Sequence, residues 1–409
     1  LPDGTTIVSA TNGKTTTAGM LASALAAAGR HPVHNRAGSN MTWGVATALL
    51  EQQGDEGLFE VDEAWLPRVV EQLGPGTIVL GNLFRDQLDR YGEMEALADE
   101  WAATVAAQAG RTGLVLNADD PLIADLGRDG EGNRREGVLY FGIEDHSQAL
   151  PELQHAFDAK HCRRCGHPYA YARAFVGHLG HYSCPSCGAR RPEPEVAATK
   201  IELHGMDGSR SRVRIPGGEI ELRLPLPGLY NVYNALAAVA ASLRLGVAPE
   251  RIAAALGQMR AAFGRVETIP VAGTDVSILL IKNPAGANEV LRTLRLEAGS
   301  EPIDLWIALN DRIADGRDVS WVWDADFELL TGGVRRVTCA GTRAPEMALR
   351  LKYAGWPADA IEVVPGIEES LDRAAAAAPG RLFALPTYTA LMELRKLLAD
   401  RGLAKEFWR

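Results

Sequence analysis

The feature that most constrains the fold is a seven-residue loop at 11–17 (TNGKTTT), which lies between a short apolar run and a helix-like run. The apolar run at 5–10 is rich in β-branched residues, and the Ala-rich run after the loop closes at Gly29. A strand, a Gly-Lys-Thr loop and a helix in this order present backbone N–H groups and a helix start to a phosphate chain. The full phosphate-loop pattern is not met, because Val8 stands where its first Gly belongs. The order favours a nucleotide-binding site over an ordinary turn between a strand and a helix.

The residue types in this loop assign its chemistry. Lys14 is expected to contact the outer phosphates, and the Thr15 hydroxyl is expected to help hold Mg²⁺. The predicted phosphate site also includes four neighbours in the loop: Thr11, Asn12, Gly13 and Thr16. Glu60 ends another predicted strand, and ligands of open parallel sheets gather at the carboxyl ends of strands. Glu60 is therefore a predicted Mg²⁺ ligand; the alternative is a solvated acidic loop that it forms with Asp62 and Glu63.

The chain shows two successive alternations of strands and helices. Apolar strand-like runs at 57–61, 77–82 and 113–117 are separated by helical patterns, which predicts a parallel sheet covered on both faces. A second α/β alternation begins near residue 268. We therefore predict an α/β central ATPase domain at 1–267 and a C-terminal Rossmann-like α/β domain at 268–409.

Cysteine spacing singles out an inserted module. Residues 145–194 have little helical period, and they contain two CxxCG pairs, Cys162 with Cys165 and Cys184 with Cys187. Four thiolates at this spacing can close a tetrahedral Zn²⁺ site. Because a closed Cys₄ site leaves no open coordination position, we predict a structural zinc ribbon rather than a catalytic metal.

Other potential ligands are expected to lie outside that site. Four histidines flank the cysteines: His161, His167, His178 and His181. Since four thiolates already complete the metal shell, these histidines are predicted to be surface groups or groups that surround the ligands. The fifth cysteine, Cys339, lies in a predicted strand and is predicted to be a buried core thiol.

Five motifs in order carry a family resemblance: TNGKTTT, EVDE, NLFRDQLDRYGE, LNADDP and NVYNALAA. Together they resemble the ATP-binding central domain of the Mur ligase family, whose members join carboxylates to amines through an acyl phosphate. GRVE at 264–267 and the second α/β domain extend the resemblance over nearly the whole chain. It implies ATP and Mg²⁺ as cofactors. It adds four residues to the predicted ATP and Mg²⁺ site: Asn82, Asn231, Asn234 and Arg265.

The chain departs from the family pattern at the metal site. Amino-acid-adding Mur ligases have DHLD where this chain has DQLD, so Gln87 replaces a metal-binding His. Those ligases also place a carbamoylated Lys shortly afterwards, and residues 93–110 contain no Lys. We therefore expect either a different metal shell or a second Mg²⁺ that is held less tightly.

The four-cysteine insert resembles one branch of the family, the synthetases that amidate lipid II. The resemblance implies ATP-dependent conversion of the α-carboxylate of D-glutamate in the stem peptide to D-isoglutamine, as a step of peptidoglycan biosynthesis. Ammonia would come from a partner glutaminase subunit, GatD. The implied location is the cytoplasm, at the inner face of the plasma membrane where lipid II is anchored.

An acidic loop in the C-terminal domain is similar to the same branch. Residues 311–326 hold five aspartates with two Trp residues interleaved. The resemblance implies that Asp318 supplies a carboxylate that orients the catalytic His of the glutaminase. Asp311 and Asp315 are the next candidates, and an acidic solvated loop is the alternative.

Two other classes of function stay open at this point. One is a stand-alone amino-acid ligase of the Mur or folylpolyglutamate type, which the missing Lys and the cysteine insert disfavour. The other is a zinc-ribbon adaptor that binds nucleotide as a switch.

The formal net charge of −10 argues against a general nucleic-acid binder.

Overall fold

The computed structural model describes residues 1–35, 39–86, 94–155, 157–259, 267–299 and 301–404. They form two compact units, one within residues 1–260 and the other formed mainly by residues 267–404. Each unit is built around its own sheet. Within these described ranges, no helix is both long and apolar enough to cross a membrane.

The first unit contains a mixed sheet and a separate hairpin. Its strands among the described residues are β1 (Thr5–Ser9), β2 (Val33–His34), β3 (Gly57–Glu60), β4 (Thr77–Leu80), β5 (Gly113–Asn117), β6 (Val138–Ile143), β7 (Ala170–Val176), β8 (Leu179–Ser183), β9 (Val196–Leu203), β10 (Ser209–Ile215) and β11 (Gly218–Leu224). The sheet order is β11-β10-β9-β6-β5-β4-β1-β3-β2, and β7 and β8 form a separate two-stranded hairpin. Neighbours are parallel from β2 to β9 and antiparallel from β9 to β11.

Apolar sequence explains the parallel part of this sheet. Ile7, Phe59 and Ile78 lie at matching positions on three adjacent strands and are fully buried. Strands buried on both faces read as continuous apolar runs, which is the pattern that the sequence shows. The predicted α/β fold with a parallel sheet is confirmed.

Helices cover the sheet and carry the loop residues. Those of the first unit are α1 (Lys14–Ala27), α2 (Thr42–Glu51), α3 (Leu66–Leu73), α4 (Met94–Ala107), α5 (Pro121–Leu126), α6 (Leu229–Arg244) and α7 (Pro249–Gly257). Helix α6 is buried on almost every side, as its Ala-rich sequence allows, and it packs against α1. This packing brings the asparagines of α6 to the start of α1.

The second unit repeats the α/β plan. Its strands are β12 (Glu267–Val271), β13 (Thr274–Ile278), β14 (Ile303–Ala308), β15 (Val334–Ala340), β16 (Ile361–Val363) and β17 (Arg381–Pro386), in the order β12-β13-β17-β14-β15-β16. Its helices are α8 (Pro284–Ala298), α9 (Ala344–Tyr353), α10 (Ile367–Ala377) and α11 (Tyr388–Asp400). All its strand pairs are parallel except β12 with β13. Cys339 on β15 is fully buried, and burial raises the pKa of its thiol to about 12.

Candidate functional site

The loop between β1 and α1 has the backbone shape of a phosphate-binding turn. Gly13 caps α1 with φ of 93°, a left-handed conformation that favours glycine. A Cβ atom at Gly13 would lie 2.0 Å from the Asn234 side-chain oxygen, so only glycine fits here. Thr15 and Thr16 lie in the first turn of α1, where the helix dipole favours anions.

Lys14 is held by two acceptors. Its Nζ donates to the Ala10 carbonyl oxygen at 2.6 Å and to Glu63 Oε2 at 2.6 Å. The Lys14 and Glu63 side chains are 10% and 6% exposed. The ammonium therefore lies within the loop, next to the first turn of α1, where the outer phosphates of a nucleotide are expected.

Asn82 fixes the shape of the loop through a reciprocal pair of hydrogen bonds. The Asn12 backbone N–H donates to Asn82 Oδ1 at 2.9 Å, and Asn82 Nδ2 donates to the Asn12 carbonyl at 2.9 Å. Thr11 joins the same segment, since its Oγ1 accepts from the Phe84 backbone N–H at 3.0 Å. Asn82 therefore holds the backbone of the loop, and Thr11 joins the loop to the segment that follows β4.

The two asparagines of α6 lie against the loop. Asn234 Nδ2 donates to Asn231 Oδ1 at 3.0 Å, and Thr17 Oγ1 donates to Asn234 Oδ1 at 3.3 Å. Asn231 Nδ2 in turn donates to the Pro227 carbonyl at 2.8 Å. The structure thus brings Asn231 and Asn234 to the start of α1, as a shared nucleotide site requires.

Glu60 ends β3 opposite Val8 of β1, at the carboxyl edge of the parallel strands. Glu60 is 1% exposed, and its backbone N–H donates to Asn35 Oδ1 at 3.0 Å. Carboxylate and hydroxyl oxygens are the hard ligands that Mg²⁺ prefers, so Glu60 and Thr15 fit a magnesium ion that accompanies a nucleotide. Arg265 and Gln87 lie outside the described residues.

The four cysteines of the insert come together. Cys162 Sγ lies 3.6 Å from Cys187 Sγ, and Cys165 Sγ lies 3.4 Å from Cys184 Sγ. All four sulfur atoms lie within 4.8 Å of one another. Tetrahedral zinc with Zn–S bonds of ~2.3 Å separates its sulfurs by roughly 3.8 Å, so this donor set fits Zn²⁺.

Both CxxCG turns close in the same way. The Gly166 N–H donates to the Cys162 carbonyl at 2.7 Å, and the Gly188 N–H donates to the Cys184 carbonyl at 3.0 Å. Both glycines have positive φ, 72° and 75°. A hydrogen bond from the Cys187 backbone N–H lowers the pKa of the Cys184 thiol to about 6, whereas hydrogen bonds with the other three thiols raise the pKa of Cys187, so these two neighbours ionise at different pH.

A buried carboxylate connects the insert to helix α6. Asp119 is fully buried and accepts from Arg191 Nε at 2.6 Å, from Tyr233 Oη at 2.7 Å and from the Ile143 N–H at 2.9 Å. Arg191 follows the second cysteine turn, and Tyr233 precedes Asn234. The next residue, Asp120, instead caps α5 by accepting hydrogen bonds from the Leu122 and Ile123 N–H groups.

The histidines of the insert divide into different roles. His178 is fully buried and packs against Phe84, with ring centroids 4.7 Å apart and the rings tilted by 55°, so the prediction of a surface group is wrong for it. His181 Nε2 donates to the Ile143 carbonyl at 2.9 Å. His181, His146 and Glu144 also lie within 4.8 Å of one another, but Arg191 Nη1 already neutralises Glu144 at 2.8 Å.

The aspartates of the acidic loop at 311–326 have different surroundings in the second unit. The Asp315 carboxylate accepts from the Thr389 backbone N–H at 2.7 Å, and burial raises its pKa. Asp311 pairs with Arg343 Nε at 2.7 Å. Asp318 is exposed, and hydrogen bonds from Ser320 lower its pKa. Hydrogen bonds from Thr342 and Arg343 lower the pKa of Asp311 as well, but that carboxylate is half-buried in its ion pair, so Asp318 is the most exposed of these three aspartates.

Sequence reasoning gave two important residues too little weight. Glu63 was grouped with a solvated loop, although it is the ion-pair partner of Lys14. Nothing in the local sequence around Asp119 predicts a role for it, although it joins three separate segments. Both contacts join residues far apart in sequence, so local pattern offers no signal for them.

Comparison with known proteins places this site in a family. The Mur ligase middle domain matches residues 8–163, and the MurT ligase C-terminal domain matches residues 280–391. The chain is 32% identical over 406 residues to the lipid II isoglutaminyl synthase (glutamine-hydrolyzing) subunit MurT of Streptococcus pneumoniae, which covers 98% of this chain and 88% of that protein. It is 31% identical over 403 residues to the same subunit of Staphylococcus aureus, with 97% and 87% covered. Among solved structures, a pseudomurein peptide ligase type C from Methanothermus fervidus shares the fold, with a TM-score of 0.73, 24% identity and coverage of 97% and 79%.

Proposed function

The chain belongs to the MurT family of Mur ligases, and on that premise we propose that it is the synthetase subunit of a glutamine-dependent lipid II amidating enzyme. Membership makes it an ATP-dependent ligase of peptidoglycan synthesis. The finer proposal is that it converts the α-carboxylate of D-glutamate in the lipid II stem peptide to D-isoglutamine. The observation that carries this proposal is the 32% sequence identity to the MurT subunit of Streptococcus pneumoniae, which extends over 98% of this chain. The phosphate loop, in which Lys14 is buried, supports it.

The chemistry begins with activation of a carboxylate, which is a poor electrophile. A carboxylate oxygen attacks the γ-phosphorus of ATP, and ADP leaves, so that an acyl phosphate forms. Ammonia then attacks the carbonyl carbon, inorganic phosphate leaves and one proton is lost. Phosphoryl transfer depends mainly on positioning and on neutralisation of charge, which are the tasks of this loop.

Residues of the chain have distinct parts in that step. Lys14 and the first turn of α1 would hold the outer phosphates. Asn82 keeps the loop in place, and Asn231 and Asn234 would border the adenine. Bound Mg²⁺ would neutralise phosphate charge, with Thr15 and Glu60 as its protein ligands. In the insert, Zn²⁺ held by the four cysteines would be structural.

Ammonia requires a separate source, because in neutral water it is largely protonated. A glutaminase subunit, GatD in this family, would supply it, and the pair would work in the cytoplasm at the inner membrane face. Asp318 is the proposed contribution of this chain to the glutaminase site. It would orient the catalytic His and stabilise its cationic form from across the subunit interface.

Amidation of lipid II by the chain co-purified with a class-I-type glutaminase tests the proposed function. We expect ATP- and glutamine-dependent formation of D-isoglutamine, measured by mass spectrometry of the stem peptide. Ligation of a free amino acid by the chain alone would instead support a stand-alone amino-acid ligase.

Asp318→Asn tests the residue assignment. The change keeps the size of the side chain and removes its charge, so glutamine hydrolysis in the complex should fall by at least about tenfold, since an uncharged partner no longer stabilises the imidazolium. ATP binding should be unaffected, and free ammonium should restore amidation at least partly. Normal glutaminase turnover in this variant would refute the cross-subunit role, and failure of the ammonium rescue would place Asp318 in the synthetase site.

A further inference from the structure

We propose that Glu63 is the resting counterion of Lys14 and that it makes the loop select nucleotide that carries a divalent cation. This inference rests on the proposed function, because it takes Lys14 as the residue that contacts the phosphates of ATP. Glu63 Oε2 lies 2.6 Å from Lys14 Nζ, and both side chains are nearly buried. Charges at this depth interact much more strongly than charges in bulk water.

The position of Glu63 is fixed by its own backbone. Trp101 Nε1 donates to the Glu63 carbonyl at 3.0 Å. Asp62 Oδ1 accepts from the Ala64 N–H at 3.2 Å and so caps the short 3₁₀ turn that starts at Glu63, while the Asp62 N–H donates to the Asn40 carbonyl at 2.8 Å. The carboxylate is therefore held at the loop by a rigid segment and is unlike a long surface side chain that makes a passing contact.

A nucleotide and Glu63 compete for the same ammonium. An ammonium has three N–H donors, and in Lys14 two of them are directed to the Ala10 carbonyl and to Glu63. When outer phosphates approach, Glu63 must either share Lys14 with a second anion or lose its cation inside the protein. Both outcomes are unfavourable for a buried carboxylate. Glu63 therefore penalises the binding of metal-free nucleotide.

A divalent cation relieves that penalty. It arrives with the nucleotide and adds two positive charges beside the loop, which offsets the extra carboxylate. Glu60 and Glu63 consequently have different roles although three positions separate them. Glu60, buried at the end of β3, is a proposed ligand of the cation, whereas Glu63 contacts Lys14.

Calorimetric titration of the full chain with ATP, once in excess EDTA and once in excess Mg²⁺, tests the proposal. The wild-type chain should bind ATP with Mg²⁺ more tightly than metal-free ATP. Glu63→Gln keeps the shape and an oxygen that accepts from Lys14, but it removes the charge. Because a full charge in contact with the ammonium is lost, affinity for metal-free ATP should rise by about tenfold. Affinity for ATP with Mg²⁺ should change by less than about threefold, since the cation already compensates.

Three further variants isolate this effect. Glu60→Gln should weaken only the binding of ATP with Mg²⁺. Glu56→Gln is the matched control, because Glu56 forms another partly buried ion pair, with Arg30, away from the loop; both affinities should stay at wild-type values. Glu63→Asp keeps the charge on a shorter stem, so its metal-free affinity should lie between those of wild type and Glu63→Gln. It provides the test if Glu63→Gln does not fold, as judged from its melting temperature.

The outcomes separate the two proposals. Equal affinity of the folded Glu63→Gln and wild-type chains for metal-free ATP would overturn the role of Glu63 and leave the proposed function intact. The same holds if the wild-type chain shows no preference for ATP with Mg²⁺. A wild-type chain that binds neither form of ATP would contradict the proposed function itself.

Discussion

The phosphate loop and the cysteine turns of the insert acquire their shapes by different means. In the loop, protein groups supply the partners: Glu63 pairs with Lys14, and Asn82 exchanges two hydrogen bonds with the Asn12 backbone. In the insert, four thiols face one another across 3.4 Å and 3.6 Å. The loop is thus held by contacts within the protein, whereas the cysteine turns bring together a donor set that fits Zn²⁺ and that a bound metal is expected to complete.

Within the insert itself, the same distinction separates the hairpin from the cysteine turns. Tyr182 on β8 is buried and packs with Tyr169, with ring centroids 5.0 Å apart, and Tyr171 packs with Phe157 at 4.6 Å. Burial raises the pKa of Tyr171 and of Tyr182 above the usual value of a tyrosine. The hairpin is therefore part of the apolar core of the first unit, and only the turns are expected to need the metal.

Lys14→Ala should produce the largest effect. Loss of the phosphate-binding cation should lower ATP-dependent turnover by at least about 100-fold, as the loss of one charge-stabilising donor does in other active sites. The variant should also melt several degrees lower, because Glu63 is left as a buried charge without its ammonium partner. Turnover by the complex and thermal melting measure the two effects.

A double variant separates the two effects. Lys14→Ala combined with Glu63→Ala should recover much of the melting temperature but none of the turnover, because it removes the uncompensated carboxylate without restoring the phosphate contact. If turnover in Lys14→Ala equals that of the wild type, this loop has no part in the reaction. The loop would then no longer be a ligand site that can be compared with the cysteine turns.

Cys184→Ser should produce the second-largest effect, and this effect should be confined to the cysteine turns. Zinc content should fall from about one ion per chain to well below it, because three thiolates bind zinc more weakly than four. Amide hydrogen exchange should accelerate at 162–167 and 184–189, while the hairpin at 170–183 stays protected by its aromatic contacts. Affinity for ATP with Mg²⁺ should change by less than about tenfold, since the protein itself shapes the loop. Uniform loss of protection across the first unit would instead mean that zinc stabilises the whole unit, and a metal-free protein of unchanged stability would refute the structural role.

Sequence predicted the features whose causes are local. Strand β5 spans residues 113–117, as the apolar run predicted, and β4 spans Thr77–Leu80 within the predicted run at 77–82. The CxxCG spacing likewise brought the four sulfurs together, because each pair closes within one turn. Local pattern was enough wherever hydrophobic periodicity or a short turn decides the structure.

Contacts between distant segments were not predictable in this way. His178 looks like a polar residue in a Gly-rich turn, yet it is buried against Phe84, 94 positions earlier in the chain. The ion pair of Lys14 with Glu63 spans 49 positions. Such pairs depend on strand order and on the docking of the hairpin, which a single sequence does not reveal. For that reason the residues that position the site were harder to predict than those that lie in its loop.

Arg191→Met should produce the smallest effect on the nucleotide site, and it tests whether the two regions are independent. Arg191 is the cationic partner of the fully buried Asp119, but Asp119 also keeps Tyr233 Oη and the Ile143 N–H as donors. Removal of the guanidinium should therefore lower the free energy of unfolding of the first unit by roughly 3 kcal/mol. This value is at the low end of what a buried ion pair costs when one partner is removed.

The effect should reach the nucleotide through helix α6, because Tyr233 precedes the asparagine that contacts Gly13 and Thr17. We expect affinity for ATP with Mg²⁺ to fall by about two- to fivefold, since a displacement of one helix residue changes a contact without removing a charge. Calorimetry measures the affinity, and Arg190→Met is the matched control, because the neighbouring Arg190 is exposed. If Arg191→Met lowers the melting temperature while ATP affinity equals that of Arg190→Met, Asp119 contributes to stability alone, and the insert and the phosphate loop are two separately organised regions of the first unit.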